Sequence, residues 1–143
     1  MSDNSFYDTN VLVYFFDTAD RRKHDIATAL LGKVFGGEAE GTISNQTLAE
    51  MFNVLTTKSV HRGEVDFVAK IVGDFVSSTR WRIINYTSDT VKSAAFACRA
   101  NGTEFWDTLV AETMKENGLD TIYTENTKDF ERMQGIKTVN PFK

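Results

Sequence analysis

Two acids in this chain, Asp8 and Asp107, stand where an acid is costly, and their side chains could do chemistry together. The run Phe6-Tyr7-Asp8-Thr9-Asn10-Val11-Leu12-Val13-Tyr14-Phe15-Phe16 is apolar except where Asp8 and Asn10 interrupt it. Its aromatic and β-branched residues suit a core strand turning directly into a helix, with Asp8 at the strand's carboxyl end. In open parallel α/β sheets that end binds ligands, so Asp8 is either a site residue or the cap of the next helix. Asp107 lies beside the stripe Trp106, Leu109, Val110, Thr113, Met114 in the first turn of a helix beginning after Thr103. It either compensates the helix dipole or serves a site. Glu50 sits off the stripe Leu48, Met51, Phe52, Leu55, as a solvated glutamate or as the end of a Thr47-x-x-Glu50 capping box.

The elements that must position these acids alternate between strands and helices. Asp20 caps a helix carrying Ile26, Leu30 and Val34, closed by Gly36-Gly37, and the segment to Gly41 reads as a loop. Thr42-Ile43-Ser44 is a short strand, followed from Gln46 by the helix that bears Glu50. Val65, Val68, Ala69, Val72 and Val76 mark a further helix, and Arg82-Ile83-Ile84-Asn85 a further strand. Ser88 caps a helix with Val91, Ala94, Ala95 and Cys98, ended by Asn101-Gly102. Thr121-Ile122-Tyr123-Thr124 reads as a buried parallel strand, and Val139 with its neighbours supplies a last one. The pattern predicts one α/β domain over residues 1–143, with strands alternating with helices throughout.

If the sheet is parallel, the ends of the first and fourth strands open on the same edge, and Asp107 can approach it. Carboxylates sharing a crevice repel; the usual resolution is a hard divalent cation such as magnesium or manganese, or shared protons. Two histidines and one cysteine, scattered at His24, His61 and Cys98, support neither a zinc site nor a Cys-His nucleophile pair. Cys98 reads as a small buried hydrophobe. The segment Gly36-Gly37-Glu38-Ala39-Glu40-Gly41 lacks the lysine of a phosphate-binding loop, and no serine elbow or dinucleotide fingerprint is present.

Composition bounds the partners. With 143 residues, 41% hydrophobic and 25% charged, the chain matches an ordinary soluble globular domain, and its start lacks the basic and apolar regions of a secretory signal, so a cytoplasmic location without membrane contact is expected. A net charge of -4 argues against coating nucleic acid through bulk positive charge, but leaves room for local grip. Basic groups at Arg21-Arg22-Lys23-His24, at Lys58 with His61-Arg62, and at Arg80 with Arg82 could touch phosphates or be solvated surface.

Four ordered segments then resemble one family. Tyr7-Asp8-Thr9-Asn10-Val11-Leu12, Leu48-Ala49-Glu50-Met51-Phe52-Asn53-Val54-Leu55, Trp106-Asp107-Thr108-Leu109-Val110-Ala111 and Tyr123-Thr124-Glu125-Asn126-Thr127-Lys128-Asp129-Phe130 are similar to PIN domains, and most to the VapC-type toxins among them. The resemblance implies a PIN-like α/β domain, a central parallel sheet of four to five strands flanked by helices on both sides, and a magnesium- or manganese-dependent endoribonuclease, often dimeric and often neutralised by an antitoxin. Asp8, Glu50 and Asp107 match the family's core acids and would hold one ion, whose bound water attacks the scissile phosphorus. The family's fourth acid falls at Asn126, between Glu125 and Asp129, so a second ion near Asp107 and Asp129, which would stabilise the leaving oxygen, is expected to arrive only with the RNA. Asn10 and Thr124 would support the site, as would Glu125 and Asn126.

Two rivals stand beside this reading. A phosphohydrolase of the haloacid dehalogenase type also starts from an aspartate after its first strand, but needs an acid where Asn10 stands. A non-catalytic PIN-like module would bind RNA or a protein without cleaving.

Overall fold

A computed structural model describes residues 4–57 and 62–143. Among them five short strands form one sheet: β1 (Ser5–Tyr7), β2 (Gly41–Ser44), β3 (Trp81–Ile84), β4 (Thr121–Tyr123) and β5 (Lys137–Val139). Every pairing is parallel and the spatial order is β3-β2-β1-β4-β5. The chain therefore builds outward from β1 in one direction through β2 and β3, then crosses back to lay β4 and β5 on the other side. That reversal opens a crevice at the carboxyl ends of β1 and β4, because the loops leaving those strands diverge to opposite faces.

Alternation along β1 divides the core. Phe6 packs with Ile84, Val110, Met114, Ile122 and Phe130 on one face, whereas Tyr7 packs with Val11, Leu12, Leu31, Val34, Ile43 and Trp81 on the other. The first face is covered by α6 (Phe105–Glu116) and α7 (Thr127–Glu131), with α5 (Ser88–Asn101) packed on α6. The second is covered by α1 (Thr9–Tyr14), α2 (Arg21–Phe35), α3 (Asn45–Thr57) and α4 (Arg62–Ser77). The fold is thus the expected α/β domain, with the upper number of strands.

Several local expectations are corrected. Trp106 is 55% exposed rather than part of the buried stripe, while Leu109, Val110, Thr113 and Met114 are buried as expected. On α4 Val68 is buried and Val72 packs against the core as expected, but Phe75 supplies its largest core side chain and Ala69 and Val76 are exposed, because the buried face runs through Ile71 and Phe75. On α5 only Ala94 and Thr90 are buried; Cys98 is half-buried, because that helix covers α6 rather than the sheet. Its cap is Thr87, which exchanges hydrogen bonds with Thr90 in a capping box, rather than Ser88. Asp20 does cap α2, accepting from the Lys23 amide at 3.1 Å. Lys58 and His61, and the side chain of Arg62, lie outside the described residues.

Gly41, taken as loop, begins β2 because the strand there runs against the aromatic layer without room for a side chain. An added Cβ would stand 2.7 Å from Trp81 Cζ3 and 2.8 Å from Val34 Cγ1. Gly41→Ala should therefore overpack the core and lower unfolding free energy by about 1–3 kcal/mol in urea titration. Unchanged stability would show that Val34 and Trp81 repack freely.

Candidate active site

Asp8 is the first residue after β1, and its amide continues the ladder by donating to Tyr123 O at 3.0 Å. It is 7% exposed. An acid so buried must be hydrogen-bonded, and three donors reach it: the Thr9 amide to Oδ1 at 2.8 Å, Thr124 Oγ1 to Oδ2 at 2.8 Å and Asn10 Nδ2 to Oδ2 at 3.2 Å. Asp8 is thus both the cap of α1 and a crevice acid; its two readings are compatible. Burial pushes its carboxyl above the usual range, against the pull of those hydrogen bonds.

Thr124 leaves β4 beside it and is fully buried. Its hydroxyl, besides donating to Asp8, accepts from the Asn126 amide at 3.0 Å and from Asn10 Nδ2 at 3.2 Å. Asn10 closes the link by accepting the Glu125 amide on Oδ1 at 3.1 Å. The ends of β1 and β4 are therefore tied side chain to backbone across the switch point.

Glu50 arrives from α3. Ser44 and Thr47 exchange hydrogen bonds at the start of that helix, each backbone amide donating to the other's hydroxyl at 3.1 Å, so the capping box is Ser44/Thr47 and not Thr47/Glu50. Glu50 is left facing the crevice, half-buried, and burial followed by the charges of Asp8 and Glu104 raises its pKa. Asp107 comes from the first turn of α6. Burial and then the charges of Asp8, Glu104, Asp129 and Glu50 push its carboxyl up to about 7. Such mutual effects require proximity; dipole compensation alone would lower the value.

Asn126 stands between the remaining acids. Its Nδ2 donates to Asp107 Oδ2 at 2.9 Å and to Asp129 Oδ2 at 3.3 Å, joining two carboxylates that would otherwise repel. Glu125 points elsewhere. It pairs with Lys23 Nζ at 2.5 Å and accepts from Tyr14 Oη at 3.1 Å, so it belongs to a cluster at the rim rather than to the acids. A cleft of about 360 Å³ runs past Asp8, Asn10, Tyr14, Glu50, Asp107 and Asn126.

This arrangement can be set beside known proteins. The chain matches the family model of the PIN domain over residues 5–136. It belongs to the PIN-domain family. Solved structures share the fold at low identity. A toxin-antitoxin complex from Klebsiella pneumoniae is 19% identical over 96% of this chain and 98% of that one, with a TM-score of 0.65. VapC20 from Mycobacterium tuberculosis, a sarcin-ricin-loop-cleaving toxin, is 20% identical over 87% and 92%, with a TM-score of 0.68. VapBC2 from Rickettsia felis, bound to a promoter DNA fragment, is 22% identical over 95% and 97%, with a TM-score of 0.65. No curated protein sequence matches the chain.

Within this PIN domain, the residues singled out from sequence divide by position. Asp8, Glu50, Asp107, Asn10 and Asn126 line the cleft, Thr124 and Asp129 contact it through hydrogen bonds, and Glu125 turns away. Glu104 escaped sequence reasoning. It caps α6 by accepting the Trp106 and Asp107 amides at 2.9 and 2.8 Å, and its charge acts on both Glu50 and Asp107. Glutamate is not a favoured cap, so only its place three residues before Asp107 could have marked it.

Among the described residues no three His, Cys, Asp or Glu side chains are gathered closely enough to hold an ion as they stand. The donor chemistry nevertheless fits a hard divalent cation: the facing groups are oxygen donors, and burial raises the proton affinity of all three carboxyls, with the charge of Asp8 adding to it at Glu50 and Asp107. Side-chain rotation of Glu50 and Asp107, and release of the Asn126 amide, would be needed to close a shell.

The Asp107 shift sets a pH dependence. Its carboxyl has an ordinary value of 3.8 when unfolded and about 7 when folded, so between these the folded state retains a proton that the unfolded chain has lost. Stability of the metal-free protein must then fall as pH rises through that window. Asp107→Asn should remove this slope, melting higher than the native chain above about pH 7 and converging with it near pH 3.8. Parallel melting curves across that range would take Asp107 out of the acid cluster.

Proposed function

We propose that this PIN domain is a divalent-metal-dependent endoribonuclease and the toxin of a toxin-antitoxin pair. The observation that carries the reading is the convergence of Asp8, Glu50 and Asp107, from three separate elements, on the crevice at the β1/β4 switch point. The toxin-antitoxin proteins among its structural relatives support the partner half of the proposal.

Asp8, Glu50 and Asp107 would hold magnesium or manganese, with Asp129 near a second, weaker position. Bound there, such an ion acidifies water and offsets charge on a phosphate. Asp8 is fixed by Thr9, Asn10 and Thr124, so it is preorganised, whereas Glu50 and Asp107 would have to turn toward the ion, Asp107 by giving up the Asn126 amide. Lys23 at the rim, with Arg21 and Arg22 nearby on α2, would position the backbone of an RNA strand outside the acids. We further propose that the protein acts as a homodimer in the cytoplasm and that an antitoxin segment covers the cleft; none of the described helices is long and apolar enough to cross a membrane.

The phosphohydrolase alternative lacks its second acid. Asn10 stands there with both ends of its amide engaged, by Asp8 and Thr124 on Nδ2 and by the Glu125 amide on Oδ1, so no proton donor to a leaving group exists at that place. A non-catalytic PIN-like module has one observation in its favour: Asn126 already satisfies Asp107 and Asp129 without an ion.

Purified protein should cut structured RNA with magnesium or manganese and stop in chelator, and Asp8→Asn should abolish cutting. RNA binding that persists in chelator and never leads to cleavage would establish the non-catalytic module instead. Thr124→Val, which removes one donor to Asp8, should lower activity or metal affinity roughly 10- to 100-fold while the protein stays folded. Asn126→Asp should lower the manganese concentration for half-maximal activity, because it replaces an amide that competes for Asp107 with another oxygen donor; an unchanged requirement would mean that Asp129 already serves that position.

A further inference from the structure

Beside the acid cleft lies a second hollow of about 420 Å³ with a different character. Trp106, Tyr86, Asn85, Asn45, Gln46 and Glu50 line it, and Glu50 faces both spaces. Trp106, the residue before Asp107, is 55% exposed although tryptophan is the costliest side chain to leave in water. Its backbone carbonyl is held by Gln46 Nε2 at 3.1 Å, which fixes the start of α6 against α3, and its ring meets Phe105 edge-on at 5.3 Å. The indole is therefore anchored at its base while its face stays open. Gln46 Oε1, on the other end of the same amide, is buried with no hydrogen-bond partner.

We propose that this hollow binds one unpaired nucleobase of an RNA strand, stacked on Trp106, whose adjoining phosphate reaches the acid cleft; the inference rests on the ribonuclease reading given above. The chemistry of the walls selects that occupant. Aromatic surface from Trp106 and Tyr86 suits a flat π-face, and three amides, Asn45, Asn85 and Gln46, offer donors and acceptors to a base edge. A slight turn of Gln46 would give its unmet acceptor an exocyclic amine or ring N–H. Among the described residues no lysine or arginine lines the hollow and Glu50 is its one charge, so a phosphate is repelled where a neutral base is not. Since Glu50 belongs to both spaces, a base seated here lies within one nucleotide of a phosphate at the acids. A base inside a duplex has no free face for Trp106, which makes the subsite selective for unpaired positions.

The test separates this subsite from the nuclease reading by measuring binding in chelator. A 5′-labelled single-stranded oligoribonucleotide of mixed sequence is titrated with protein, with anisotropy giving affinity and tryptophan emission giving location. The chain has only two tryptophans, and Trp81 is 5% exposed. The strand should quench emission, and the quench should disappear in Trp106→Phe and persist in Trp81→Phe; if Trp81→Phe fails to fold, the difference between native and Trp106→Phe emission carries the same information. Trp106→Ala should weaken binding roughly 5- to 100-fold while Trp106→Phe restores most of it, and the same strand annealed to its complement should bind without quenching. Equal affinity of native protein and Trp106→Ala, or binding without any quench, overturns the subsite, even if the protein cleaves RNA. Quenching that depends on Trp106 in a protein that cuts nothing with magnesium or manganese leaves the subsite standing and overturns the ribonuclease reading alone.

Discussion

The burial of the Asp8 carboxylate at the sheet's switch point is the interaction on which the rest of the structure depends. An acid removed from water at the end of a central strand is tolerated only with donors on every side. Here the donors come from the next residue's amide, from Asn10 two residues on, and from Thr124 at the end of a strand more than a hundred residues later. Because Thr124 and Asn10 also bind each other and the backbone of Glu125 and Asn126, satisfying one carboxylate fixes the relative position of β1, β4 and the loop that follows. A chemically necessary hydrogen-bond set is also the scaffold of the crevice.

The other acids are held differently. Glu50 and Asp107 stand on helices from opposite faces of the sheet, each anchored by capping that does not use its own side chain: Ser44 and Thr47 for α3, Glu104 for α6. Both carboxyls face the crevice, where burial first and then the charges of Asp8 and Glu104 raise their proton affinity. Asn126 joins the cluster by donating to Asp107 and Asp129. The site is thus built from one rigid acid and two adaptable ones, with an amide where an additional charge would make the cluster harder to assemble without a cation.

The surface around the crevice shows a division of chemical labour. On one side the rim carries Lys23, paired with Glu125 and Tyr14, so a cation is present but tethered. On the other, Trp106 and Tyr86 offer aromatic surface beside amides, with no cation lining the hollow. A polyanion with planar bases can meet both kinds of contact at once, which reconciles an acidic chain with the nucleic-acid substrate proposed for it.

Much of this was legible before any coordinates. Asp8 and Asp107 declared themselves because an acid inside an apolar run or beside an apolar stripe violates the local pattern, and the alternation of strand and helix signals sufficed for an α/β domain. Glu50 broke no local rule, so residues around it read equally well as a solvated helix; only the order of four segments, and then the Ser44/Thr47 cap that leaves its carboxyl unused, brought it to the crevice. Periodicity misled at Trp106 and Val76, since amphipathic spacing says which residues share a face but not whether a neighbour covers that face. The roles of Asn126, Glu125 and Glu104 were beyond sequence reasoning altogether: which carboxylate an amide bridges, and which one a lysine draws away, depends on side chains brought together across the sheet. Local residue chemistry determined that an acid-bearing strand end would exist; the direction in which the chain crosses back after β3 decided what would stand around it.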